Sequence, residues 1–235
     1  AQDLIVYIVE QNVSPVSNNT SAEPEEAEEE SESEEVAEEE ESVDNKSSSS
    51  GNAPAVVFKD VPKKEWFYVH ILKLKEKKII SGYDNGNFGP QDPVTRGQIL
   101  KIALNAAKID ASKSDTLSFS SIKKDNVFHS YIEKAYALKI VTGYKTETGK
   151  PKFGVNDKVN RAQAAKILVN AFGLKLMTPD KPTFKDVLKT DWYYPYIETL
   201  AYFQIVNGNP DGTFAPERIL NRAEVSKMTA GLMDM

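Results

Sequence analysis

The sequence contains no cysteine and only two histidines, which excludes a disulfide-stapled scaffold and a cysteine-ligated zinc site. It lacks any run approaching the roughly 18 consecutive apolar residues with which a helix crosses a bilayer, so no membrane insertion is expected. No HExxH, GxSxG or GxxxxGK pattern occurs, so the chemistries those patterns serve have no foothold. Residues 13–56 have no aromatic side chain and almost no large aliphatic one, so they cannot bury enough surface to offset the entropy of ordering. Basic residues are absent between Glu23 and Asp44, where 14 carboxylates stand.

What is present divides the 235 residues into pieces of different character. Residues 1–12 carry a short apolar run, Leu4 to Val9, that reads as a single strand. With no basic flank or initiator Met it is not an intact signal peptide; it is either the last strand of an upstream domain or the first residues after a removed signal. Residues 13–56 are expected to be a disordered acidic linker, extended by like-charge repulsion and suited to a spacer. Capture of calcium or of basic proteins is the alternative use of such a tract. From Phe58 onward, 28 Lys and Arg face 19 Asp and Glu, a formal charge of about +9 that favours an anionic partner.

The region from residue 58 repeats itself three times. FKDV at 58–61, FSSI at 119–122 and FKDV at 184–187 are each followed, 24 residues after the Phe, by Gly82, Gly143 and Gly208. A second Phe follows at 88, 153 and 214, then Arg96, Arg161 and Arg222, with four extra residues in the middle loop. Such a period marks stacked units that cannot bury their own apolar faces. Phe67, Ile71 and Leu74, with their counterparts Phe128, Ile132, Ala135 and Tyr193, Ile197, Leu200, form one side of a first helix. Loops dense in Gly, Pro, Asn and Asp stop it. TRGQ (95–98), NRAQ (160–163) and NRAE (221–224) then open a second helix, each with a capping residue and Gln or Glu three positions later. The expected fold is mainly α: three helix-loop-helix repeats at 58–118, 119–183 and 184–235, packed with pseudo-threefold symmetry around a central helical bundle.

These motifs, with Trp66, Trp192 and the NPDGTF loop at 209–214, resemble the S-layer homology domain, a module found in three tandem copies on bacterial surface proteins. The resemblance covers residues 58–235. It implies a three-pronged spindle held non-covalently to the wall. Grooves between copies would bind an anionic secondary cell-wall polysaccharide, often through a pyruvylated N-acetylmannosamine residue. It places the protein outside the cell, in the wall or S-layer, with any self-assembly left to an upstream domain.

Carried onto this sequence, the resemblance makes Arg96, Arg161, Arg222, Trp66, Trp192, Asp60, Asp186, Gly82, Gly143 and Gly208 the candidate polysaccharide-binding residues. The arginines stand at the first helical position, where a cation opposes the helix dipole. Either the guanidinium and the free N–H groups of the helix start converge on a ligand anion, or the arginine pairs with a carboxylate such as Asp60 or Asp186 and pins two copies together. Trp66 and Trp192 either stack on a sugar ring or close the first helix against the loop. The glycines serve positive φ or close approach. Copy two has Val127 at the tryptophan position and Ser121 at the aspartate position, so the three grooves are expected to be unequal.

His70 and His129 do not align between copies and read as partly exposed helix-face residues. DNGN (84–87) and NPDG (209–212) read as turns, without the alternating acidic ligands of a calcium loop. Lysines spread over all copies and no nucleic-acid motif is present. No catalytic residue, metal or cofactor is expected, and no nucleic acid among the partners. The rival to wall anchoring is a helical scaffold for a protein partner, with purely structural arginines.

Overall fold

The computed structural model describes residues 58–235 except Lys113, Asp115, Thr148 and Lys150; the strand expected at 1–12 and the linker at 13–56 lie outside the described residues. Six helices follow one another: α1 (Tyr68–Glu76), α2 (Arg96–Ala106), α3 (His129–Ala137), α4 (Arg161–Ala171), α5 (Tyr194–Tyr202) and α6 (Arg222–Leu232). Among the described residues, extended pairing is limited to isolated bridges. The longer helices α2, α4 and α6 begin in complete capping boxes, Thr95 with Gln98, Asn160 with Gln163 and Asn221 with Glu224. The cap side chain accepts the N–H of the third helical residue there, and that residue's side chain accepts the N–H of the cap.

Five helices end alike. Lys78, Lys108, Lys139, Gly173 and Gln204 take φ values of 57°, 56°, 58°, 62° and 58° just past the helix. Their N–H groups and those of the following apolar residue bond back into the last turn, as in Lys108 to the Asn105 carbonyl and Ile109 to that of Leu104. The apolar residue after the left-handed one then enters the core; Ile79, Ile140 and Ile205 are all buried.

Packing follows a cyclic rule. The first helix of each repeat lies on the second helix of the repeat before it: α3 on α2, α5 on α4 and, closing the circle, α1 on α6. The middle is made by α2 against α4 and α6. On the second helices Ile99, Ala103, Ile167, Leu168, Val225 and Thr229 are buried. Just before these helices Val94, Val159 and Leu220, each fully buried, form a ring of backbone hydrogen bonds. Val94 donates to Leu220, Leu220 to Val159 and Val159 back to Val94, at 2.9–3.0 Å.

Within each repeat the two phenylalanines pack ring against ring, Phe58 with Phe88 and Phe184 with Phe214 tilted and Phe119 with Phe153 edge-on, at 5.2–5.3 Å between centroids. The recurring glycine makes room for this. A Cβ on Gly82, Gly143 or Gly208 would lie 2.4–2.6 Å from the first ring of its repeat. Close approach therefore explains all three, and Gly143 alone adds a positive φ of 74°. His129, expected to be partly exposed, is 3% exposed: its Nε2 lies 2.9 Å from the Thr116 carbonyl and is thereby the protonated nitrogen. It holds the connecting segment to α3, as the Tyr194 hydroxyl does by donating to Pro179 O.

Candidate functional site

The helix starts are occupied by neighbouring repeats. The N–H groups of Arg96 and Gly97 donate to Asp157 O and Val155 O, those of Arg161 and Ala162 to Arg218 O and Pro216 O, and those of Arg222 and Ala223 to Asp92 O and Pro90 O. The third N–H of each helix goes to the capping side chain. The expectation of free N–H groups meeting a ligand is corrected by this: none of the three is left over.

The guanidinium groups reach into the next repeat's loop. Arg96 donates from Nε to the Phe153 carbonyl at 3.0 Å and stacks over the rings of Phe153 and Tyr144, 4.5 and 4.9 Å from their centroids. Arg222 repeats this with the Phe88 carbonyl at 2.8 Å, the Ser81 carbonyl at 3.0 Å and the rings of Phe88 and Tyr83. Both are 8% exposed. Burial lowers their pKa values, partly countered by the tyrosine and aspartate beside each, and a guanidinium remains charged through such a shift.

Asp60 and Asp186 are not the arginines' partners. Asp60 accepts the N–H groups of Phe88 and Gly89 at 2.7 Å, and Asp186 those of Phe214 and Ala215 at 2.6 and 2.7 Å. They brace the loops on which the arginines rest. In copy two the Ser121 hydroxyl takes only the Phe153 N–H, at 3.0 Å. Asp60 and Asp186 are thereby corrected as the arginines' partners, whereas a carboxylate does join two copies at Arg161, which forms an ion pair with Glu224 of copy three.

Arg161 differs from its two equivalents. It stacks over Phe214 at 4.2 Å, yet its buried Nε has no acceptor. Its Nη1 stands 3.7 Å from Glu224, and burial and the neighbouring Arg218 lower its pKa. Beside it opens a cavity of about 200 Å³ lined by Trp66, Arg161, Asn207, Glu224, Lys227 and Met228, among others. Trp66, half exposed, comes from copy one and faces the Lys227 ammonium of α6 at 5.8 Å. The same pair recurs at the α4–α5 contact, where Lys166 lies 5.6 Å from Trp192 and burial lowers the lysine's pKa. At the α2–α3 contact Val127, 75% exposed, replaces the tryptophan. A lysine and an exposed tryptophan thus meet at two of the three junctions, and at the α1–α6 junction Arg161 lines the same cavity.

The lysines were missed by the reading of the sequence, although the signal was present. Lys101, Lys166 and Lys227 each stand five residues after the repeated arginine, which carries them onto the flank of the helix that meets the next repeat. Among the described residues no cluster of metal-ligating side chains exists, and no helix is long and apolar enough to cross a membrane.

A family model described as the S-layer homology domain matches residues 57–100, 123–165 and 183–226. Relatives include an endoglucanase of Bacillus sp. (strain KSM-635), 29% identical over 194 residues that make up 80% of this chain and 20% of the relative. A cellulosome-anchoring protein of Acetivibrio thermocellus is 30% identical over 62% of this chain and 33% of its own length. An S-layer protein of Bacillus thuringiensis subsp. finitimus is 27% identical over 74% of this chain and 21% of its own length. The chain therefore spans a third or less of each of these three relatives.

Proposed function

The chain belongs to the S-layer homology domain family, and on that premise we propose that residues 58–235 are a non-catalytic anchor that holds a bacterial surface protein to the cell wall. The relatives bear names as different as an endoglucanase, a cellulosome-anchoring protein and an S-layer protein. A segment common to proteins so differently named fits attachment, which one of those names states, better than the chemistry of any one.

The partner is an acidic wall polysaccharide, bound between repeats. What carries this reading is the cavity in which Arg161, Lys227 and the half-exposed Trp66 converge. Cations lie beside a flat apolar ring there, the combination that suits a sugar bearing a carboxylate or phosphate. A pyruvylated residue would supply such a carboxylate. Asp60, Asp186, Gly82, Gly143 and Gly208 serve binding indirectly, by shaping the loops that receive the arginines. Because two junctions carry the tryptophan and one carries Val127, engagement is unequal, and contacts along one polymer add avidity.

Sedimentation with purified wall sacculi tests this, before and after the non-peptidoglycan polymer is stripped. The protein is expected to sediment with intact sacculi only. Trp66→Ala together with Trp192→Ala should cut binding by about tenfold or more, since stacking contributes about 1 kcal/mol or more per ring, with unchanged helical circular dichroism. Equal sedimentation of wild type with stripped and intact sacculi would overturn the polysaccharide; no sedimentation with either would favour a protein partner.

A further inference from the structure

At the α6 junction two charges are exchanged relative to the other junctions. Four residues before the arginine, where Asp92 and Asp157 stand, copy three has Arg218; two residues after it, where Gln98 and Gln163 stand, it has Glu224. The two replacements meet. Arg218 forks onto the Glu224 carboxylate, with Nη1 3.2 Å from Oε2 and Nη2 in close contact with Oε1. Oε2 also accepts the Asn221 N–H at 3.1 Å. Arg161, from the preceding repeat, keeps only a long ion pair with that carboxylate, at 3.7 Å and beyond hydrogen-bond range, and its Nε has no acceptor.

A carboxylate beside a cleft cation competes with any anionic ligand for it. Glu224 would be such a competitor for Arg161, and without Arg218 the Asn221 N–H would be its remaining hydrogen-bond donor. We propose that Arg218 is a positioning residue that holds Glu224 off Arg161 and so keeps this one cleft open to an anionic sugar. The inference rests on the cleft reading given above. It adds that this junction, unlike the other two, depends on an arginine that need not touch the ligand. Arg218 is 44% exposed, so its loss removes a surface side chain and leaves the core intact.

The two tryptophans report on separate junctions, so their indole N–H resonances can be followed while the polymer released from sacculi is titrated into the wild-type chain and its variants. Arg218→Ala and Arg218→Gln are expected to raise the polymer concentration needed to shift the Trp66 resonance by about fivefold or more, as loss of one favourable charge term does. The Trp192 response should be unchanged. Adding Glu224→Gln, the residue type of the other two copies, should restore the Trp66 response to within about twofold of wild type. An unaltered Trp66 response in both single variants overturns the inference. So does a double variant as weak as the single ones. Silence of both indoles in the wild type overturns the cleft reading itself, and this inference with it.

Discussion

At the scale of single residues, Glu224 shows how an environment chooses a protonation state. Burial alone would raise its pKa, but the hydrogen bond from Arg218, the Asn221 amide and the fields of Arg218 and Arg161 outweigh that and hold it below the ordinary 4.5. A carboxylate whose pKa is lower folded than unfolded stabilises the fold above its unfolded pKa, and loses that contribution as the pH falls through its folded one. Glu224→Gln should therefore flatten the acid limb of a stability profile below about pH 4.5, measured by urea denaturation at successive pH values. An unchanged limb would contradict the assignment. Little of this was legible in the sequence. The glutamate was visible as the closing member of a capping box, because that motif is local, whereas its ties to Arg218 and Arg161 depend on a loop and a neighbouring repeat. Asp60 and Asp186 illustrate the same limit: their recurrence was plain, but their partners, the N–H groups of Phe88, Gly89, Phe214 and Ala215, lie 28 or 29 residues away.

At the scale of elements, the helices were the most readable part. Stripes and capping boxes are written within a few residues; the stripe residues are buried except Phe128 and Tyr193, which are half-buried against the core, and all three capping boxes close. The helix ends were less so. Lysine or glutamine, not glycine, occupies the left-handed position after α1, α2, α3 and α5, so no glycine signalled the stop. That conformation costs a non-glycine residue roughly 1–2 kcal/mol, offset in part by the smaller entropy lysine loses on folding. Lys108→Gly and Gln204→Gly are accordingly expected to raise stability by up to about 1 kcal/mol each, read as a higher midpoint in thermal unfolding. A lower midpoint would mean that the side chains contribute more than the backbone strain takes away.

At the scale of the whole molecule, the three repeats are not three modules in a row. Their number and similarity could be counted in the sequence, but the cyclic packing and the ring of Val94, Leu220 and Val159 could not, because both join residues of different repeats, in the ring and at the α1–α6 contact more than 60 positions apart. Each repeat lends its first helix to the one before it, so none is complete alone. Removal of residues 184–235 should leave α1 and α4 with uncovered apolar faces, and the shortened chain is expected to lose cooperative unfolding. The intact 58–235 region should unfold in one calorimetric transition whose van't Hoff and calorimetric enthalpies agree; separate melting of the repeats would rule out the cyclic account. Lys73 of α1, whose ammonium holds the Ala230 carbonyl at 3.1 Å and the Asp234 carboxylate, ties the beginning of this region to its end. A tug transmitted through whatever precedes residue 58 is met by Phe58 and Asp60 on the loop of their own repeat and then by α1, which is clasped by the last repeat. It must slide two helices past each other instead of peeling off a terminal unit, so the module's grip under tension is that of a closed clasp and not of a zip.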